Sequence, residues 1–575
     1  MKTNLFENYK HGIQKITYIL GEGHKKNIIF FIILMFMNTI FELLSLGAFI
    51  PILLVLFDEN FLQNKILISV LPLDFFISKN NLLIFFVLLL SGIYIVKSIF
   101  QIYFNHFRLK FITGLQVNLI NDLYKRYIFQ EYSFVTHINS PTIVRNLTGE
   151  VNGFVSRVLM PLINILIDFL TVFFVLISLM FFEPLGSLIM LSSILLFSFL
   201  FYFATKNKIS NLGLERQDLE FKRLREIQES FKIFREIKLL SLEKFFIQNF
   251  NIYNSKVYKL FKKEALIATL PKILFELIIV ILLSLIIMLF IKINYDSKQI
   301  ITILSIFTLA AVKLLPIFNK ILISFQQINF GLPYLNITYT EFKKYQLKII
   351  KNNSDETSFK ESIIFKAVNF NYGEKNLFKN LNLKIKKGDI THIKGPSGSG
   401  KTTFLDLLSG LLKPNSGDVL VDNKNINNNL RMYQGSITYI PQTIYLLDDT
   451  IRANITLGQK DQDIDMDKLK KCLELSCLND FIKSLKYGVY SQVGENGIKI
   501  SGGQKQRIGI ARGFYLNSDI IILDEATNAI DLDTVEKIYK NISTYAKNKT
   551  ILVTSHHDYF DNFFNNKIDI GNLND

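Results

Sequence analysis

Apolar positions fall into two regimes along this chain. In the first half they form runs of about twenty residues or more, and in the second they form short clusters separated by turn residues. Six long runs stand out: from Asn27 to about Phe57, from near Leu82 past Lys97, and over about 157–182, 184–204, 265–291 and 300–325. About twenty apolar residues in a helix cross the ~30 Å hydrocarbon core, so each run predicts a transmembrane helix. The second run continues as a long helix through Phe107 and Phe111, and the third and fourth meet in a very tight turn at Glu183-Pro184. Residues 108–152 are polar and carry Arg108, Lys110, Lys125, Arg126 and Arg145, and 205–263 is helical in pattern and strongly charged. Excess Lys and Arg marks the cytoplasmic side, which places both excursions and both termini inside. The mixed segment 58–81 and the loop Asn294–Lys298 then lie outside. Residues 1–26 are amphipathic and basic and predict an entry helix on the cytoplasmic membrane surface. The expected division is therefore 1–26 entry helix, 27–326 transmembrane domain with six spans, 327–362 polar linker, and 363–575 soluble α/β domain. The fold class is multi-domain: an all-α six-helix transmembrane domain, then an α/β P-loop NTPase domain.

Composition changes this picture little. The 575 residues are too many for one core, and 49% hydrophobic residues with a mean hydropathy of +0.27 is unusual for a soluble protein. The net charge of +16 has its plainest reading as positive charge beside membrane spans rather than a nucleic-acid surface. Two cysteines, Cys472 and Cys477, indicate neither a disulfide scaffold nor a metal cluster. The polar, basic start followed by an overlong apolar run is not the pattern of a cleavable signal peptide.

The candidate chemistry lies in the second regime. Gly395-Pro396-Ser397-Gly398-Ser399-Gly400-Lys401-Thr402 is a complete phosphate-binding loop. Its glycines let backbone N–H groups close around an anionic phosphate chain. Lys401 supplies a point charge to the β- and γ-phosphates, and the Thr402 hydroxyl is placed for Mg²⁺. A strand over Asp389–Lys394 leads in, and a helix from about Ser399 through Thr403 leads out with its positive end on the phosphates. Upstream, Tyr372 can stack on adenine, although alone it reads equally as a buried tyrosine of an antiparallel sheet. Gln442 ends a predicted strand and can join Mg²⁺ or the attacking water. Ser501-Gly502-Gly503-Gln504 opens a helix as a second anion site. Ile520–Leu523 reads as a buried parallel strand delivering Asp524 and Glu525. Asp524 can hold Mg²⁺ through water, and Glu525 can polarise water for in-line attack on the γ-phosphate. His556, after the strand Thr550–Ser555, can contact the γ-phosphate and the water, whereas a lone histidine is usually structural.

Together these residues resemble the ATPase domain of an ABC transporter over about 363–575. Tyr372 matches the A-loop, Gly395–Thr402 Walker A, Gln442 the Q-loop, Gly494-Glu495 the exporter-type X-loop, Ile500–Gln504 the signature, 520–525 Walker B, 528–531 the D-loop and His556 the H-loop. Ile500 in place of Leu, the Asn528-Ala529-Ile530-Asp531 D-loop and His557 are departures that remove no catalytic group. The resemblance implies ATP hydrolysis coupled to transport, with ATP and Mg²⁺ as cofactors. It also implies a homodimer, because the signature of one domain closes over Walker A of another. Twelve spans in a bacterial inner membrane follow, with no nucleic-acid partner. Helix ends near 132–148 and 225–240 are expected as coupling helices beside Gln442, with ordinary surface helices as the plainer reading.

Lys97, Lys272 and Lys313 each sit in apolar context, where a charge costs about 2.5–3.5 kcal/mol unless it meets water or a partner. Glu42 and Glu276 are candidate partners, and snorkelling is the alternative for Lys272. Facing a central cavity, the lysines favour an anionic head group. Lys313-Leu314-Leu315-Pro316, Leu270-Pro271-Lys272 and Asn146–Val151 resemble segments of bacterial ABC flippases for the lipid-linked oligosaccharides of protein glycosylation. That resemblance implies flipping of a polyprenyl-pyrophosphate-linked glycan. The alternatives are an exporter of lipid A-like lipids, drugs or peptides and, in a different class, a soluble ATPase, which the six spans oppose.

Overall fold

The computed structural model describes residues 5–21, 25–49, 51–52, 55, 79–134, 138–182, 184–292, 297–346, 359–372, 375–494, 497–545, 548–555 and 562–571. These form two compact units, one of Met1–Gln130 with His137–Lys348, the other of Glu131–Thr136 with Ile349–Asp575.

The first unit is all helix. It comprises α1 (Leu5–Leu20), α2 (Lys25–Gly47), α3 (Lys79–Ile128), α4 (from Ser140 to Phe182), α5 (Pro184–Lys232), α6 (Phe234–Leu239), α7 (Glu243–Lys292) and α8 (Ser297–Lys344). Four of these have 48 to 50 residues. At 1.5 Å per residue such a helix is about 75 Å long, more than twice an apolar bilayer core. An apolar part therefore continues without a break into a polar part, and α8 stays helical to Lys344, well beyond the apolar run that ends near 325. Among the described residues five helices are long and apolar enough to cross a membrane. Large apolar residues such as Ile102, Val280 and Met288 are exposed on their surfaces, as lipid-facing positions are. Proline fits at the first position of α5, because the N–H it lacks has no helical partner there. Two π-helical turns, Asn146–Glu150 and Val155–Leu159, interrupt α4. An apolar period of 3.6 does not reveal them.

Among the described residues, buried apolar clusters hold this unit together, two of them in its apolar part. One joins Val175 and Leu179 of α4, Ile194 of α5, Phe275 of α7 and Leu314 and Phe318 of α8. The other joins Phe31 of α2, Phe104 of α3 and Ile167 of α4. Further along, α5 and α8 come together through Gly213, where an added Cβ would stand 2.4 Å from the Phe330 carbonyl oxygen. Both partners are backbone and cannot yield cheaply, so Gly213→Ala is expected to cost about 1–3 kcal/mol. A thermal unfolding midpoint in detergent equal to that of the native protein would contradict this packing.

The second unit carries two sheets. An antiparallel sheet has the order β2-β1-β4-β5, with β1 (Ser362–Tyr372), β2 (Lys375–Lys386), β4 (Ser416–Val421) and β5 (Lys424–Asn425). A parallel sheet has the order β6-β7-β8-β3-β9, with β3 (Ile390–Lys394), β6 (Ile437–Ile440), β7 (Ile520–Asp524), β8 (Thr550–Thr554) and β9 (Asn566–Asp569). β7 and β8 are buried along their whole length, which accounts for their unbroken apolar runs. Helices α9 (Lys401–Leu408), α10 (Met466–Leu475), α11 (Gly502–Leu516) and α12 (Leu532–Tyr545) cover the sheets. The short segment from Glu131 lies in this unit, where Lys413 Nζ donates to Glu131 at 2.9 Å.

Candidate nucleotide site

The order of the parallel sheet builds the site. Four strands adjacent in space, β6, β7, β8 and β3, end toward Gln442, Asp524-Glu525, Ser555 and the Gly395 loop. In parallel α/β sheets ligands bind outside the carboxyl ends of the strands, and residues up to about 160 positions apart in sequence meet there.

The phosphate loop has the backbone its sequence demands. Gly395, Gly398 and Gly400 take φ of 150°, 82° and 99°. A Cβ on Gly395 would sit 2.6 Å from Ser399 Oγ, so the loop has room for backbone only. The helix starts at Lys401, two residues later than its sequence predicts, because left-handed Gly400 caps it. Pro396 and Ser397 are exposed and Thr403 is half-buried. Lys401 is buried and donates from Nζ to the Gly395 carbonyl at 2.8 Å, folded over its own loop. Ser399 Oγ is buried with no hydrogen-bond partner among the described residues. An orphaned hydroxyl inside a glycine cradle fits a phosphate oxygen.

Asp524 is buried and is held on both oxygens. Oδ2 accepts from Thr402 Oγ1 at 3.2 Å and from the Tyr439 hydroxyl at 2.9 Å, and Oδ1 accepts from Thr554 Oγ1 at 2.8 Å. A carboxylate beside a hydroxyl is the hard oxygen set that Mg²⁺ prefers. The negative charge crowds its neighbours. Burial, aided by Asp524, raises Asp406 to about 6, and burial with the same carboxylate pushes the Tyr439 phenol well above its usual range. Tyr439 thus stays a hydrogen-bond donor at any working pH. Its place in β6 gives no sequence sign of this role. Tyr439→Phe removes one of three bonds orienting Asp524 and is expected to raise the Mg²⁺ concentration for half-maximal activity several-fold. A metal titration of steady-state turnover checks it, and an unshifted curve would exclude the role.

Glu525 follows in a left-handed conformation, φ 49°. Such a backbone is strained for a non-glycine residue and is characteristic of functional positions. Its N–H donates to Thr554 Oγ1 at 2.8 Å, and its Oε2 accepts from Gln442 Nε2 at 2.7 Å and Asn528 Nδ2 at 2.9 Å. Two predicted residues, Gln442 and Glu525, thereby meet directly.

Ser501 caps α11 in a reciprocal capping box, with Gln504 N–H donating to Ser501 Oγ at 3.3 Å and Ser501 N–H to Gln504 Oε1 at 3.0 Å. Gly502 is exposed. A Cβ on Gly503 would stand 2.7 Å from the Ala529 carbonyl, and Gln506 Oε1 accepts from Ala529 N–H at 2.7 Å. The helix opening and the 528–531 turn therefore form one body. Tyr372 is 55% exposed and edge-on to Phe370, which sets aside the buried-tyrosine reading and leaves a face free to stack. His556 and Glu495 lie outside the described residues.

The intramembrane lysines separate. Lys97 is buried and its Nζ lies 2.6 Å from Glu42 Oε2 and 3.0 Å from Ser45 Oγ. Lys313 reaches the same Glu42 oxygen at 3.2 Å. Gln101 donates to Glu42 Oε1 at 2.7 Å. Lys272 is exposed on α7. Arg108, which begins the stretch expected to be cytoplasmic, donates to Asn164 Oδ1 at 3.3 Å.

Residues 378–528 match the family model for the ABC transporter. A protein named ATP-dependent lipid A-core flippase from Ralstonia nicotianae is 37% identical over 196 residues, 33% of each chain. A protein of the same name from Desulfotalea psychrophila is 36% identical over 214 residues, 36% of each. An uncharacterized ABC transporter ATP-binding protein of Bacillus subtilis is 34% identical over 210 residues, again 36% of each. The matched region spans about a third of the length of these relatives. The solved structure of a bacterial Atm1-family ABC exporter with ATP bound superimposes with a TM-score of 0.78 at 19% identity, covering 96% of this chain and 94% of that one. The chain has the ABC exporter fold: a helical transmembrane-like region followed by an α/β nucleotide-binding domain.

Proposed function

We propose that this chain is one half of an ATP-driven exporter that moves an amphipathic glycolipid across a bacterial cell membrane. The observation that carries the reading is the row of strand ends that gathers the Gly395 loop, Asp524, Glu525 and Gln442. The loop amides, Ser399 and Lys401 hold the phosphates. Thr402 and Asp524 hold Mg²⁺, which neutralises charge on the phosphate oxygens. Glu525 accepts the proton of the attacking water, with Gln442 holding the carboxylate in place. Tyr372 stacks on the base, and His556 contacts the γ-phosphate. Each chain carries one phosphate loop and one Ser501–Gln504 segment, so a homodimer completes two sites from opposite halves.

The relatives named lipid A-core flippase favour a lipid A-like cargo. A polyprenyl-pyrophosphate-linked oligosaccharide is the second reading and rests on the segments Asn146–Val151, Leu270–Lys272 and Lys313–Pro316. Purified protein in proteoliposomes, offered fluorescent versions of both lipids with ATP, decides between them. ATP-dependent loss of quencher-accessible label is expected for one lipid. Active hydrolysis with neither lipid moved would overturn the glycolipid reading.

A further inference from the structure

A histidine is buried inside the parallel sheet. β3 lies between β8 and β9, and His392 pairs with Val553 on one side and Lys567 on the other. Side chains alternate across a strand, so His392 shares a face with Ile390, which belongs to an apolar core with Val553, Tyr539 and Phe564. Ile393, on the opposite face, packs with Phe404 and Leu405 of α9. His392 is 0% exposed, and its ring stacks on Phe564 with centroids 4.6 Å apart and 28° between the planes. Phe564 in turn is edge-on to Tyr539 of α12. Such a position suits an aliphatic side chain, because a buried imidazole costs free energy unless its nitrogens are bonded.

The polar edge of the ring has a specific target. His392 Nε2 lies 3.3 Å from the Ser555 carbonyl oxygen. A carbonyl only accepts, so the contact requires the ring form that carries a proton on Nε2. Ser555 is buried, and a buried carbonyl needs a partner inside the protein. Strand pairing of β8 stops one residue earlier, at Thr554, against both β3 and β7. The imidazole thus takes over where the two ladders end. Thr554 is the residue whose hydroxyl donates to Asp524 and accepts from the Glu525 N–H, and Ser555 immediately precedes His556. His392 itself lies three residues before Gly395. One buried side chain therefore links the strand that enters the phosphate loop to the strand that leads to His556.

We infer that His392 is a positioning residue for ATP hydrolysis: its Nε2–H holds the Ser555 carbonyl and so fixes the direction in which the chain presents His556 to the γ-phosphate. The inference rests on the hydrolysis site proposed above and deepens it, through a side chain that is wholly buried and out of reach of the nucleotide. A hydrocarbon of similar volume fills the core but leaves the carbonyl unheld. Nucleotide binding is spared by such a change, because the Gly395 loop takes its form from its own glycines and Tyr372 stands on a different sheet. The chemical step is not spared, because it depends on the alignment of the γ-phosphate contact.

Steady-state ATP hydrolysis by the full-length protein in phosphatidylcholine nanodiscs tests this with three substitutions. His392→Leu fills the core without a donor, His392→Asn carries an amide that stops short of the carbonyl, and His392→Gln places its amide nitrogen near the position of Nε2. The Leu and Asn variants should lose about 10–100-fold in kcat, the scale of a misplacement of about 1 Å, with KM for ATP and the affinity for a fluorescent ATP analogue close to native. His392→Gln should recover most of the lost kcat. Since His392 acts through His556, adding His392→Leu to His556→Ala should cost little beyond His556→Ala alone, whereas independent roles multiply. Native kcat in the folded Leu and Asn variants, with only the melting temperature lowered, would make His392 a core side chain and overturn the inference. A Gln variant as slow as Leu, a loss carried by KM, or a multiplicative double variant would overturn it equally. Where His392→Leu fails to fold, the contrast between Asn and Gln decides. Native protein without ATPase activity defeats the hydrolysis reading, whereas active protein indifferent to these substitutions defeats only the role of His392.

Discussion

Glu525→Gln is expected to reduce Mg²⁺-dependent ATP hydrolysis by two to four orders of magnitude while nucleotide still binds. The size follows from what a positioned general base contributes, about 10²–10⁴-fold. The selectivity follows from the geometry. A glutamine can keep the carbonyl that accepts from Gln442 and Asn528, and the backbone bond to Thr554 does not involve the side chain. Thr402, Asp524 and Lys401, the residues proposed to hold phosphate and metal, are untouched. The variant should therefore load ATP and remain in the ATP-bound, paired state. Phosphate release measured beside equilibrium binding of a fluorescent nucleotide checks both halves. Turnover within threefold of native would remove Glu525 from the role of base, and lost binding would mean that it shapes the pocket instead.

Glu42→Ala should be the most damaging single change in the transmembrane unit. One carboxylate faces two ammonium groups, at 2.6 Å for Lys97 and 3.2 Å for Lys313, and also accepts from Gln101. Removing one partner of a buried pair costs about 3–5 kcal/mol, because the remaining charge is left in a low-dielectric site. Here two cations lose their counter-charge at once. A drop of many degrees in melting temperature is expected in detergent. Adding Lys97→Met should recover part of the loss, since the buried ammonium then disappears as well. A double variant no more stable than Glu42→Ala would show that Lys97 finds its compensation elsewhere.

The two sites differ in how far local sequence reveals them. The phosphate loop is legible because its requirements are local. Positive φ at Gly395, Gly398 and Gly400, a small loop and a following helix are written within eight residues. Asp524 and Glu525 are legible for a similar reason, as the polar end of a buried strand. Tyr439 and Thr554 are not, although they hold Asp524 as firmly as Thr402 does. A tyrosine and a threonine inside β-strands look like ordinary strand formers until β6, β7 and β8 lie side by side. In the membrane half, the three lysines are conspicuous by charge alone, yet two of them are consumed by Glu42 and the third is exposed.

The sequence by itself determined the two-regime architecture, the long apolar helices and the local form of the phosphate loop. Helical period, apolar run length and glycine conformation act over a few neighbouring residues. The tertiary structure alone decided which strand ends stand together and which charges cancel. Glu42 meets Lys97 across 55 residues and Lys313 across 271, and Glu525 meets Gln442 across 83. Contacts over such separations are fixed by how whole helices and strands pack.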